Sequence, residues 1–132
     1  LYSAFYCAQA AIPLLKKSKA GKIITVGSGM GHRPTGRISA YSVGKAALRM
    51  FTQALSLELA EYDIAVNELV PGPVQTRPRE VERIEAGIFQ EGAFKHEWHK
   101  QPEDVVPMAL FLATQPRYGP TGQTFAINRR LL

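Results

Sequence analysis

Short apolar runs alternate with longer amphipathic stretches along the 132 residues. Short apolar runs between turn residues indicate buried strands, and apolar positions three and four residues apart indicate helices. This pattern predicts strands over 22–27, 64–70 and 122–128. It predicts helices over 1–17, 40–62 and 102–114, with a loop up to residue 39 and a mixed segment up to residue 101. Strands that alternate with helices in this way indicate an α/β fold.

Prolines refine two of these helices. Pro13 lacks the backbone donor that a helix interior needs, so it is expected to kink the first helix or end it early. Pro102 is followed by Glu103 and Asp104. This order is typical of a helix start, because proline suits the first turn and carboxylates suit the positive end of the helix dipole.

The helix over 40–62 carries two apolar rows about 120° apart, at about 100° per residue. The first row is Val43, Ala47, Met50, Ala54 and Leu57, and the second is Leu48, Phe51, Leu55, Leu59 and Tyr62. A helix that lies on a sheet needs only one row. The second row therefore needs another partner, either the first helix or a second subunit, unless both rows are internal to one subunit.

Tyr41 and Lys45 stand at positions i and i+4 of the same predicted helix, so their side chains share one face. A free tyrosine has a pKa of about 10, and a nearby cation favours the phenolate form. Lys45 can supply that cation. The pair therefore predicts a tyrosine that serves as a general acid or base near neutral pH.

Two further motifs accompany this pair. Ser28 follows the apolar strand that ends in Val26-Gly27, and the stretch Pro71-Gly72-Pro73-Val74-Gln75-Thr76 follows the next strand. The combination resembles the short-chain dehydrogenase/reductase family. The resemblance implies a Rossmann-type doubly wound parallel sheet, of which residues 1–132 form the C-terminal half within a single domain.

The resemblance also implies a function. The expected protein is an NAD(P)-dependent oxidoreductase that interconverts a small-molecule alcohol with a ketone or aldehyde. Ser28 would hold the substrate oxygen, Tyr41 would pass the proton, and Lys45 would grip the nicotinamide ribose while it favours the phenolate. Pro71, Gly72, the Val74 backbone and Thr76 would meet the nicotinamide end of the cofactor.

Some family features are absent from the sequence. The stretch from Gly27 to Gly31 is not the dinucleotide fingerprint Gly-x-Gly-x-x-Gly, because His32 stands at the last position. The phosphate-binding turn, and the residue that would distinguish NAD from NADP, are expected in an N-terminal half. Ile127-Asn128-Arg129-Arg130 stands where an aspartate and glycines are common in the family, which puts the usual C-terminal contacts in doubt.

The segment over 77–101 corresponds by position to the family's substrate lid. Its aromatic side chains Phe89, Phe94 and Trp98 would line an apolar pocket, and its basic residues would meet an anionic group. An ordinary solvated charged segment is the alternative. The substrate itself is not specified by these residues.

Two other functions compete with the oxidoreductase. The chain could be a catalytically silent, truncated paralogue that acts as a dimerising scaffold, which the missing phosphate turn and the two-row helix favour. A hydrolase that uses Ser28 is a weaker alternative. The sequence holds Gly27-Ser28-Gly29 rather than Gly-x-Ser-x-Gly, and no histidine with a matching acid follows in a recognisable arrangement.

Composition and charge exclude several classes of protein. Hydrophobic residues make up 45% and charged residues 20%, as in globular domains. The net charge of +5 comes from dispersed Lys and Arg residues without an aromatic-lined groove, so no nucleic-acid partner is expected. No apolar run reaches the roughly 20 residues of a membrane span, and no signal peptide begins the sequence, so a cytoplasmic protein without a membrane partner is expected.

Cysteine and histidine give no metal site. The single cysteine, Cys7, excludes an internal disulfide and is expected to be a small buried residue on a helix. His32, His96 and His99 show no metal-ligand spacing with acidic partners, so structural or surface roles are expected for them. Finally, the family pairs the helices at 1–17 and 40–62 across a dimer interface, which implies a homodimer or homotetramer.

Overall fold

The computed structural model describes residues 1–75, 100–128 and 132. Its α-helices are α1 (Tyr2–Leu15), α2 (Ser39–Glu58) and α3 (Val106–Ala113), and its strands are β1 (Lys22–Val26), β2 (Ala65–Val70) and β3 (Thr124–Ala126). Short 3-10 turns occupy Gly29–Gly31, Ala60–Tyr62 and Pro102–Val105. The predicted order of helices and strands is confirmed for these residues. None of the helices in these described ranges is long and apolar enough to cross a membrane.

The three strands form one parallel sheet in the order β1-β2-β3. Thr25 pairs with Glu68, and Glu68 pairs with Thr124, so these side chains lie on the same face of the sheet. That face carries α2, because the Thr25 hydroxyl lies 2.7 Å from the Thr52 hydroxyl. The opposite face carries α3, where the rings of Phe111 and Phe125 are 6.0 Å apart. Helices on both faces of a parallel sheet confirm the predicted doubly wound α/β class.

The apolar core lies between α1, α2 and the amino-terminal halves of the strands. Its buried members are Ala8, Leu55, Leu59, Ile64 and Val66. The second apolar row of α2 faces this core and also contacts α1, since the rings of Phe5 and Phe51 are 5.8 Å apart. The first helix is therefore the partner of the second row.

The first apolar row of α2 points away from the sheet. Val43, Met50 and Leu57 are 68%, 62% and 79% exposed. The described residues of this chain therefore leave the first row uncovered, and the alternative in which both rows are internal to one subunit stays open. An apolar row of this kind on a helix is typical of an association surface.

One detail of α1 differs from the sequence-based expectation. The helix contains Pro13 and ends at Leu15, earlier than the predicted residue 17, and Lys16 N donates to Ile12 O at 2.9 Å in its last turn. Cys7 is exposed rather than buried, because the neighbouring Ala8 faces the core. The sequence therefore predicted correctly that Cys7 lies on a helix, but not that it lies on the exposed side of that helix.

The predicted helix over 102–114 is divided into a 3-10 turn and α3. Pro102 begins the turn, and Gln101 and Asp104 form a capping box around it. Pro107 stands in the first turn of α3. A proline there cannot donate to the preceding turn, so the α-helical bonding pattern starts afresh at Val106.

Polar side chains fasten the segment that leads into β3. The Asn67 side chain donates to Pro120 O at 2.7 Å and accepts from Gln123 N at 3.1 Å. Arg117 Nε donates to Asp63 Oδ2 at 2.7 Å, and this bond raises the pKa of the guanidinium above its ordinary value. These contacts hold β3 beside the central strand.

The turn Gly29–Gly31 packs directly on the backbone of α2. A Cβ atom built on Gly31 would lie 2.7 Å from the carbonyl carbon of Lys45, which is closer than side chains tolerate. A Cβ built on Gly44, the residue directly before Lys45, would meet nothing within 4 Å. Only the first of these two glycines is required by packing.

Gly31→Ala and Gly44→Ala should therefore change stability in opposite directions. Gly31→Ala must push the turn away from rigid helix backbone and should lower the free energy of unfolding. Gly44→Ala should raise it by up to about 1 kcal/mol, because alanine favours the helix. Urea denaturation of the two variants of the complete protein measures both effects, and a stabilising Gly31→Ala would contradict the close packing.

Leu112→Ala should lower the free energy of unfolding by about 3 kcal/mol, because Leu112 is 1% exposed and its loss leaves a cavity. Leu110→Ala, two residues earlier in α3, is the matched control. Leu110 is 57% exposed, so the same substitution should cost less than about 1 kcal/mol. Equal losses in chemical denaturation would show that α3 docks through another face.

Candidate active site

The carboxyl ends of the parallel strands meet at one edge of the sheet. Ser28 lies two residues beyond β1, and Pro71 directly follows β2. In open parallel sheets, ligands bind in the crevice outside these carboxyl ends. The topology therefore places Ser28 and the Pro71-Gly72 turn at the edge where a ligand is expected.

Ser28 begins the turn Gly29–Gly31. Its backbone is extended, with φ −158° and ψ 144°, and its Oγ accepts a hydrogen bond from Met30 N at 3.2 Å. A serine hydroxyl that accepts in this way keeps its own hydrogen for another acceptor. Ser28 is thus an oriented donor at the end of β1.

Tyr41 and Lys45 lie in the first turns of α2, close to one another. Lys45 Nζ is 5.9 Å from the centre of the Tyr41 ring, within the range of a cation–π contact. The same ammonium donates to Val26 O at 2.7 Å, at the end of β1. Tyr41 is 50% exposed, so its phenol is accessible to a ligand. The structure brings this pair to the strand that precedes Ser28.

The turn that begins at Ser28 and the helix that bears Tyr41 and Lys45 are in contact. Gly31 is the third residue after Ser28, and it packs on the backbone of Lys45 and Ala46. The bond from Lys45 to Val26 crosses the same junction. Two separate contacts therefore join the two sequence motifs.

The Pro71-Gly72 turn follows β2. Gly72 has a φ of +71°, and a Cβ there would lie 2.9 Å from Asn128 Cβ, so both conformation and space require glycine. Val74 then forms a parallel bridge with Lys100, whose bonds use Pro73 O and Gln75 N. In a parallel bridge of this kind the N–H and C=O of Val74 itself point away from Lys100. No hydrogen bond to them is found within 1–75 and 100–128, so these residues leave them one donor and one acceptor.

The side chain of Asn128 adds a polar group beside this turn. Its Nδ2 and Oδ1 atoms are buried and have no hydrogen-bond partner in the described part of the chain. Buried amides of this kind normally have partners. An orphaned amide next to Gly72 fits a polar ligand group there. Asn128 is one of the C-terminal departures from the family pattern.

Several predicted residues lie outside the described residues. They are Thr76 of the expected cofactor set and the aromatic residues Phe89, Phe94 and Trp98 of the expected lid. Their roles stay predictions. Across the ranges that the structure does describe, there is no group of three or more His, Cys, Asp or Glu that could hold a metal ion.

A buried carboxylate that the sequence pattern does not single out lies beside the Ser28 turn. Glu68 is 1% exposed, and its Oε2 lies 2.9 Å from His32 Nε2 and accepts from Thr124 Oγ1 at 2.7 Å. The sequence shows no recognisable arrangement of a histidine with a matching acid, and His32 meets Glu68 only in the fold, in a buried contact that agrees with the structural role expected for His32. No hydrogen bond joins His32 to Ser28 among the described residues, so the hydrolase arrangement is incomplete. The sequence feature that could have indicated it is a glutamate inside β2, a strand that is buried along its whole length.

Comparison with known proteins identifies the family of the chain. The sequence profile of the family described as short chain dehydrogenase matches residues 1–86. The short-chain dehydrogenase/reductase homolog YusR of Bacillus subtilis (strain 168) is 35% identical over 127 residues, which cover 94% of this chain and 93% of that relative. The 3-oxoacyl-[acyl-carrier-protein] reductase of Synechocystis is 34% identical over 129 residues, which cover 97% of this chain and 51% of the relative.

Solved structures show the same relation. The TT0495 protein of Thermus thermophilus superimposes with a TM-score of 0.81 and 31% identity, over 96% of this chain and 55% of that one. A 3-oxoacyl-[acyl-carrier protein] reductase of Brucella melitensis with bound NAD gives 0.78 and 27%, over 96% and 47%.

The chain spans about half the length of the relatives first matched, with 46% of a Picea abies short-chain type dehydrogenase/reductase and 45% of the Bacillus subtilis oxidoreductase YhxC. Over that half, sequence profile, relatives and fold agree. The chain belongs to the short-chain dehydrogenase family.

Proposed function

We propose that the protein containing this chain is an NAD(P)-dependent oxidoreductase that interconverts a small-molecule alcohol with a ketone or aldehyde. The observation that carries the proposal is the position of Lys45 Nζ, 5.9 Å from the Tyr41 ring and 2.7 Å from Val26 O. It gathers a cation, a phenol and the Ser28 turn at the carboxyl ends of the strands. The family assignment and the reductases among the relatives support the same chemistry.

The residues at the edge of the sheet fit a nicotinamide cofactor. The outward N–H and C=O of Val74 match the acceptor and donor of a carboxamide, and Gly72 gives the turn the close approach that a ring needs. Lys45 has three N–H donors and uses one on Val26, which leaves donors for ribose hydroxyls. When bound, the cofactor supplies the hydride for the carbonyl carbon. The similarity to a reductase with bound NAD supports this fit, and NADP remains equally compatible.

The side chains of this site would manage the oxygen and its proton. Ser28 donates its free hydroxyl hydrogen to the carbonyl oxygen and fixes its position. Tyr41 donates a second hydrogen bond and then its proton as the oxygen becomes a hydroxyl. The Lys45 ammonium, 5.9 Å from the centre of the Tyr41 ring, would favour the negative charge that develops on the phenol oxygen. In the oxidising direction the same groups work in reverse.

Tyr41→Phe should lower kcat for a carbonyl substrate by about 10²-fold or more, because the proton donor is removed while the ring remains. Binding of the reduced cofactor should persist, since Lys45 and the Gly72 turn are unchanged. Steady-state rates with a panel of ketones, aldehydes and 3-oxoacyl thioesters measure the first effect. Fluorescence titration with NADH and NADPH measures the second.

Tyr62→Phe is the matched control. Tyr62 also has a lysine over its ring, with Lys16 Nζ 3.5 Å from the ring centre, but it lies at the other end of α2. Its loss should leave kcat unchanged. Full turnover in Tyr41→Phe would refute the proposed chemistry, and a complete protein that binds neither cofactor would favour the scaffold alternative.

We further propose that the protein is a homo-oligomer that buries the first row of α2. Val43, Met50 and Leu57 form an exposed apolar strip on α2. A second copy offers the same strip, and an isologous contact between identical apolar strips is self-complementary.

A cytoplasmic location, which the sequence also predicts, awaits localisation of the tagged complete protein.

The double variant Met50→Glu, Leu57→Glu should convert the oligomer to a species of smaller mass. Two carboxylates would lose hydration in an apolar interface without gaining a partner. Analytical ultracentrifugation measures the change, with Tyr118→Glu, an 83% exposed loop position, as the control that keeps its mass. A wild-type protein that sediments as a monomer would contradict the proposal.

A further inference from the structure

Glu68 is a buried carboxylate for which the reaction above has no use. It lies on the central strand β2, and its side chain is 1% exposed. Its pairing with Thr25 places it on the face of the sheet that carries α2. A buried carboxylate costs free energy unless its oxygens have partners, so its contacts show what holds it there.

One carboxylate oxygen joins three elements. Glu68 Oε2 accepts from the Thr124 hydroxyl of β3 at 2.7 Å and lies 2.9 Å from His32 Nε2. The His32 side chain is itself only 5% exposed, and His32 caps the turn Gly29–Gly31. The carboxylate thus connects the central strand and β3 to the end of the turn that Ser28 begins.

The other carboxylate oxygen, Oε1, is buried without a hydrogen-bond partner among the described residues, and it lies beside Gly27, the residue before Ser28. A Cβ atom on Gly27 would lie 1.8 Å from Glu68 Oε1, so this glycine and this carboxylate occupy adjoining space. Gly27 N donates to Leu69 O of β2 at 2.9 Å, which fixes that approach. Ser28 therefore begins a turn whose other end is held by the contact between Glu68 and His32.

The turn Gly29–Gly31, which the Glu68–His32 contact holds, also packs on α2. Its residue Gly31 contacts the backbone of Lys45 and Ala46. A shift of the turn would move Ser28 relative to Tyr41 and Lys45, and displacements of about 1 Å between groups that act together can cost about 10²-fold in rate.

We propose that Glu68 is a positioning residue that holds the Ser28 turn, through its contact with His32, at the distance from Tyr41 and Lys45 that the reaction requires. It does not touch the substrate. This inference rests on the proposed function, in which Ser28 binds the carbonyl oxygen.

A double-mutant cycle between Glu68 and Ser28 tests the inference. Glu68→Ala should lower kcat about 10-fold or more in the otherwise unchanged complete protein, but less than about 2-fold when Ser28→Ala is already present. The affinity for reduced cofactor should stay unchanged, because Glu68 acts only through Ser28. Glu68→Gln keeps the shape and an acceptor for Thr124, and it should restore most of kcat.

Thr52→Val is the matched control. It removes a different buried hydrogen bond on the same face, the 2.7 Å contact between the Thr25 and Thr52 hydroxyls. It should lower stability without lowering kcat. If Glu68→Ala does not fold, His32→Ala removes the link to the turn while it leaves the bond between Glu68 and Thr124, and it should show the same coupling to Ser28.

Amide hydrogen exchange tests the inference without any turnover. The Gly31, His32 and Arg33 amides are bonded within the turn, to Ser28 O and Gly29 O. They should exchange faster in Glu68→Ala than in Thr52→Val. Unchanged exchange, or an equal loss of kcat with and without Ser28, would overturn the positioning role. A wild type without carbonyl reduction would instead refute the proposed function, and the exchange result would still decide whether Glu68 holds the turn.

Discussion

The close packing of Gly31 against the backbone of α2 is the constraint on which the candidate site depends. Ser28 comes from the loop after β1, and Tyr41 and Lys45 come from the start of a helix. These segments meet because the turn presents a residue without a side chain to the carbonyl group of Lys45. The Lys45 bond to Val26 O closes the same junction from the helix side. Without this approach, the serine and the tyrosine–lysine pair would be separate motifs.

The interior beneath α2 changes character along the strands. Near the amino-terminal ends it is apolar, with Ile64 and Val66 against the second row of α2 and the inner side of α1. Toward the carboxyl ends it becomes polar, with the Thr25–Thr52 contact and then Glu68 with His32 and Thr124. Apolar burial stabilises the fold in proportion to area and without directional preference. Hydrogen bonds are directional, so the polar end is suited to holding a loop at a fixed position.

In most folded proteins charged side chains are exposed and apolar side chains are buried. Glu68 and the first row of α2 depart from this pattern in opposite ways. Burial removes water from the Glu68 carboxylate at a cost in free energy, which the hydrogen bonds to His32 and Thr124 must offset. Met50 and Leu57 are exposed, so they contribute little apolar burial to the stability of the single chain. Both follow from function in the proposals above. The first holds a catalytic loop, and the second is covered by another copy. In these proposals each feature lowers the stability of the single chain but serves the active site or the contact between copies.

The sequence by itself determined the order of strands and helices, the parallel α/β class, and the placement of Tyr41 and Lys45 on one helix face. Periodicity and turn residues are local, so bounds came within a few residues, except where Pro107 divided the helix over 102–114. Only the tertiary structure decided which apolar row of α2 is covered, that Cys7 is exposed, and that Glu68 pairs with His32. Periodicity shows how many faces a helix has but not what covers them. The Glu68–His32 contact joins residues 36 positions apart, which no local pattern encodes.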